Sequence, residues 1–119
     1  VDAVAEKRGE SALRILRIML DDNEAPLKIL FMLTRQFRIV YQAKILTEQG
    51  QSSKMLASVL RQPPFVIKNC LRQGRVYTNQ ELKYIFELLL EADSAIKTGK
   101  YHSRLAIELL VAKLVGNSN

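Results

Sequence analysis

The chain has no tryptophan, one cysteine, one histidine and three prolines in 119 residues. Each scarcity closes off a class of protein. Cys70 stands alone, so no intrachain disulfide can form, which fits a reducing, cytoplasmic setting. Its helically spaced neighbours Val66, Ile67 and Leu71 make it a small buried hydrophobe rather than a nucleophile. With His102 as the one histidine, no zinc ligand set can be assembled. The five glycines are scattered at 9, 50, 74, 99 and 116, so there is no glycine-rich loop to cradle a phosphate. Lys97-Thr98-Gly99 spells a motif of serine β-lactamases, but its partner motifs are absent and it falls at a helix end. No apolar run reaches the roughly 18 residues of a membrane span, and no secretory signal pattern is present. No useful stretch alternates with period two, so no sheet is expected. These absences leave the chain with no expected catalytic residue, metal or cofactor.

What is present is apolar and basic. A hydrophobic share of 48% is ample for one core, and the length suits a single domain over residues 1–119. The first residue is Val1 rather than Met, so the domain is expected to be cut from a longer chain. The net charge of +6 is uneven. Residues 1–24 hold four basic and six acidic side chains, residues 25–80 nine basic and one acidic (Glu48), and residues 81–119 five of each. A central block this basic either attracts nucleic acid or an acidic surface, or is a solvated helix face.

Apolar spacing and punctuation predict an all-α bundle of about five to seven helices. A short helix over Val1–Lys7 is broken by Gly9, and a second runs from Glu10 to about Leu20. Pro26 suits the first turn of a third, which continues to about Gln49 and stops at Gly50. Ser52 or Ser53 caps a short helix through Leu60. The Gln62-Pro63-Pro64 turn then opens a helix to about Val76. Thr78-Asn79-Gln80-Glu81 matches a capping box ahead of a long helix to Thr98, closed by Gly99. The last helix runs from Ser103 to about Val115.

Two charges fall in the middle of apolar faces. On the third helix Leu30, Leu33, Phe37, Val40 and Tyr41 share one face, with Lys44 near its centre. On the long helix Leu82, Phe86, Leu89 and Ile96 line up with Asp93. A buried charge costs several kcal/mol unless paired, so Lys44 is expected to reach Asp93 across the bundle, with Lys97 assisting from the rim. On that reading Asp93→Ala costs about 3 kcal/mol. The trio is expected to fix helix register and to do no chemistry.

Two further features point to contacts. Met32, Ile39 and Leu46 form a second stripe on the third helix, which is therefore either central in the bundle or half of an interface between subunits. The last helix is apolar almost all round, so part of it is expected to meet another chain or domain. Met32, Ile39, Leu46, Leu105, Leu109 and Val111 are the interface candidates. Lys68, Arg72 and Arg75 share one side of the Pro64 helix and are candidates for contact with phosphates or an acidic partner. The short helix, turn and Pro64 helix imitate a helix-turn-helix. Yet the recognition position begins Pro64-Phe65-Val66-Ile67, which wants a core rather than base edges.

Several stretches carry a family resemblance. They are Ala12-Leu13-Arg14-Ile15-Leu16 leading to Pro26, and Leu33-Thr34-Arg35-Gln36-Phe37-Arg38 with Gln42 and Lys44. Pro64-Phe65-Val66 with Lys68 follows, then Leu89 through Gly99, then the leucine-rich helix Leu105 to Leu114. In this order and spacing the chain resembles the C-terminal domains of bacterial DNA polymerase III delta subunits. The resemblance implies a collar domain of the clamp loader, the assembly that opens a sliding clamp and closes it on primed DNA during replication. It implies delta-prime and tau or gamma subunits as partners, a sliding clamp met only through an AAA+-like first domain outside this chain, and no ATP hydrolysis by delta itself. A free-standing basic helical module that binds nucleic acid is the alternative.

Overall fold

The computed structural model describes residues 16–21 and 25–116. The helix expected over Val1–Lys7 and the start of the next lie outside the described residues. Residues 16–21 are helical. Five helices follow: α1 (Pro26–Glu48), α2 (Ser53–Leu60), α3 (Pro64–Gly74), α4 (Asn79–Lys97) and α5 (Ser103–Gly116). No strand occurs among the described residues.

Local chemistry sets the helix ends. Pro26 and Pro64 occupy first-turn positions, where a missing N–H costs nothing. The Ser52 hydroxyl accepts from the Met55 N–H at 3.2 Å. The capping box at α4 closes both ways: Thr78 Oγ1 accepts from the Glu81 N–H at 3.0 Å, and Glu81 Oε1 accepts from the Thr78 N–H at 2.9 Å. His102 caps α5, its Nδ1 accepting from the Arg104 N–H at 3.3 Å.

Three C-termini close with the same device. Gly50 N–H donates to Thr47 O and Gln51 N–H to Leu46 O. Gly99 N–H donates to Ile96 O and Lys100 N–H to Ala95 O. Arg61 N–H donates to Ser58 O and Gln62 N–H to Ala57 O. This is the Schellman pattern, and it needs a left-handed residue at its centre. Glycine supplies it twice, at φ 90° and 73°; at α2 Arg61 adopts φ 55°.

α1 is the hub and packs against all four other helices. Of the two roles open to a helix with two apolar stripes, it takes the central one. Its Leu33, Phe37 and Val40 are buried with Leu56 of α2, Ile67 of α3, Leu82 of α4 and Ile107 of α5. Phe37 meets Tyr77 edge-on at 5.7 Å, and Tyr41 meets Phe86 likewise at 5.8 Å on the α1–α4 side. Cys70 is fully buried, as its neighbours in sequence imply.

Candidate protein–protein interface

The charged trio singled out from the sequence does not meet. Lys44 points from α1 toward the end of α3, where its Nζ donates to Gly74 O at 3.1 Å and to Tyr77 O. Asp93 accepts instead from Lys97, one turn along α4, at 3.0 Å, with 35% of its side chain still exposed. The expected Lys44–Asp93 pair is therefore wrong. Gln36, Val40 and Lys44 lie on the side of α1 that faces α3, whereas Leu30, Thr34 and Tyr41 face α4. The lysine is satisfied by carbonyls at the negative end of a helix dipole. The aspartate is satisfied by an i,i+4 neighbour. Neither needs the other.

The same seam holds a second polar contact. Gln36 Nε2 donates to Oε1 of the fully buried Gln73 at 2.7 Å, with Cys70 Sγ at 3.8 Å. Just beyond, burial pushes the Tyr77 phenol above its ordinary range, with the nearby Glu81 carboxylate adding to the effect. At the other end of the molecule, hydrogen bonds to Glu108 and then Asp21 raise the Arg104 guanidinium's pKa. Each carboxylate lies 3.0 Å away, so this arginine ties α5 to the helical segment 16–21.

The six interface candidates divide. Ile39 and Val111 are buried inside the domain and cannot reach another protein. Ile39 is covered by the chain's own helices, and α5 presses Val111 inward with Ile107, Leu110 and Leu114. Met32 is half-buried, and Leu46 packs partly against the core. Leu105 and Leu109 are open, at 45% and 41% exposure. Leu109 and exposed Tyr101 line one shallow recess where α4 and α5 meet and exposed Tyr84 lines the next, with Leu105 one turn before Leu109 on α5. Leu88 and Lys113 line both, so the two recesses make one α4–α5 face.

Lys68, Arg72 and Arg75 are all exposed on α3 and just past its end. The start of that helix departs from expectation. Ile67 is buried and Val66 partly so, but Phe65 is 68% exposed. A second open cluster was not anticipated: Leu27, Phe31 and Leu90, in a groove between α1 and α4. Its signal was available. Phe31 sits between Lys28 and Arg35 at helical spacing, and Leu90 between Glu87 and Ser94, so each is an apolar side chain on a polar face. No cluster of three His, Cys, Asp or Glu side chains suited to a metal occurs among the described residues. No described helix is long and apolar enough to cross a membrane.

Comparison with known proteins supplies the context for these surfaces. The family model for the C-terminal domain of the DNA polymerase III delta subunit matches residues 1–114. DNA polymerase III subunit delta of Bacillus subtilis (strain 168) is 34% identical over 115 residues, which cover 97% of this chain and 33% of that protein. The solved structure of the Bacillus subtilis DNA clamp loader delta protein (YqeN) matches with a TM-score of 0.87 at 34% identity, over 97% of this chain and 34% of that one. The chain thus spans about a third of the length of the relatives it matches.

Proposed function

The chain belongs to the family formed by the C-terminal domains of DNA polymerase III delta subunits, and on that premise we propose that it is an assembly scaffold: one segment of a clamp-loader collar, joined to delta-prime and tau or gamma subunits. The observation that carries this reading is the open apolar face at α4 and α5. Leu105, Leu109, Tyr84 and Tyr101 stand exposed beside some of the best-buried residues in the fold. Aromatic and aliphatic side chains clustered at the surface are what a protein joint uses as its centre. On this reading the domain hydrolyses no nucleotide, and its contribution to replication is to hold its neighbours in register. The sliding clamp is met by another part of the parent protein.

The experiment is reconstitution with full-length delta, delta-prime and tau. Leu105→Asp with Leu109→Asp should lower the yield of assembled complex by roughly tenfold or more while free delta keeps its helical content. Full assembly by this double variant would refute the reading.

A second reading rests on the exposed Lys68, Arg72 and Arg75. As a nucleic-acid module the chain would bind DNA with an affinity that falls steeply with salt. The triple Ala variant separates the two. On the scaffold reading it assembles normally, and on the nucleic-acid reading it loses DNA binding with a reduced salt slope.

A further inference from the structure

The most one-sided charge in the chain falls on the hairpin of α2 and α3. Residues 49–80 hold five basic side chains and no acidic one. All five, Lys54, Arg61, Lys68, Arg72 and Arg75, are exposed. Lys54, Arg61, Lys68 and Arg75 make no ion pair among the described residues. A surface of one sign, with no counter-charge of its own, attracts anions. α3 packs against α1 and α2, and none of these cations lines the α4–α5 recesses.

Phe65 says what kind of anion fits. Ile67, Cys70, Gln73 and Gly74 take the inner side of α3. Phe65, Lys68 and Arg72, three and four residues apart, share the outer side. At 1.5 Å per residue they span about 10 Å of helix. Phe65 is 68% exposed and sits in the first turn. That is where the second helix of a helix-turn-helix offers polar side chains to base edges in a duplex. A phenyl ring has no hydrogen bond to give there. Its face is matched instead by the face of an unpaired base. An aromatic side chain beside cations that track the backbone is the build of single-strand sites. We propose that the outer stripe of α3 binds single-stranded DNA, with a base stacked on Phe65 and the adjoining phosphates held by Lys68, Arg72 and Arg75. This binding rests on the nucleic-acid reading above, names its ligand, and leaves the α4–α5 face free for assembly.

Fluorescence anisotropy with full-length delta tests it. The probes are an oligodeoxythymidylate, which has no paired structure, and a blunt duplex of equal length. The parent should bind the single strand several-fold tighter than the duplex. Phe65→Ala should weaken single-strand binding roughly fivefold or more. It should leave the salt slope unchanged, because no charge is lost, and Phe65→Trp should restore the affinity. Lys68→Ala with Arg72→Ala and Arg75→Ala should lower the slope of log affinity against log salt by about 2. Phe65→Ala should also melt within about 2 °C of the parent, since the ring is exposed. If Phe65→Ala binds like the parent while the triple variant loses affinity, the nucleic-acid reading stands and the stacked base does not. If the triple variant binds like the parent, both fall. A duplex bound as tightly as the single strand would make the stripe a plain phosphate contact. A triple variant that no longer assembles with delta-prime and tau would make it a protein joint. Either of these last results would overturn the proposal.

Discussion

The ammonium of Lys44 lies where α3 ends; it donates to the Gly74 carbonyl, which also accepts from the Tyr77 N–H, and to the Tyr77 carbonyl just beyond the helix. Hydrogen bonds to a charged donor in a partly buried site contribute about 1.5–3 kcal/mol. Lys44→Met is therefore expected to lower the unfolding free energy by about 2 kcal/mol in urea titration. Asp93→Ala removes only a partly exposed i,i+4 pair and should cost less than about 1 kcal/mol. A larger loss for Asp93 than for Lys44 would reverse this assignment. The sequence placed Lys44 on an inward face correctly but misjudged its partner. Side-chain periodicity displays other side chains, whereas the partners here are backbone carbonyls at the end of a helix packed from 30 residues away. Tyr77 gives a pH test. Its folded phenol titrates above the ordinary value near 10, so its contribution is intact below pH 10 and lost as pH rises and the unfolded chain ionises first. Tyr77→Phe should make the alkaline decline of the melting temperature shallower; an unchanged slope would contradict the burial of that group.

Helices α1, α2 and α4 end alike, yet one of them does so at a cost. Gly50 and Gly99 enter the left-handed region without a Cβ penalty, but Arg61 does not. Arg61→Gly is expected to stabilise the chain by about 0.5–1 kcal/mol, read as a rise in denaturation midpoint at constant slope. Thr78→Ala opens the capping box and should cost about 1 kcal/mol by the same measurement. These elements were legible because their signals are local. Pro26, Pro64, the two glycines and Thr78 with Glu81 each announce a helix end within one turn. The end of α2 was placed correctly through the following prolines. The left-handed arginine was not, since nothing in its side chain marks that conformation. α3 ends at Gly74, two residues short of Val76, where the backbone tightens into i→i+3 bonds (Val76 N–H to Gln73 O, Tyr77 N–H to Gly74 O), and Lys44 donates to the same stretch.

At the scale of the whole molecule, the fold buries one core around α1 and leaves apolar surface in separate places. The sequence foresaw excess apolar character in α5 but not its division. Val111 turned inward while Leu105 and Leu109 remained outside, because helical spacing says which residues share a face but not how much of that face a neighbour covers. It misread Ile39 for the same reason. The groove lips were overlooked because single apolar residues on charged faces are commonplace; only their convergence from two helices sets Phe31 and Leu90 apart. The central claim is that the α4–α5 face becomes covered when delta joins its neighbours. Cys70 is fully buried, so a thiol placed at position 109 would be the accessible one in this domain. The direct measurement is the labelling rate of Leu109→Cys by a thiol reagent, in free full-length delta and in the reconstituted clamp loader. Labelling should be fast in free delta and roughly tenfold slower or more in the complex. Equal rates in the two states would contradict the account.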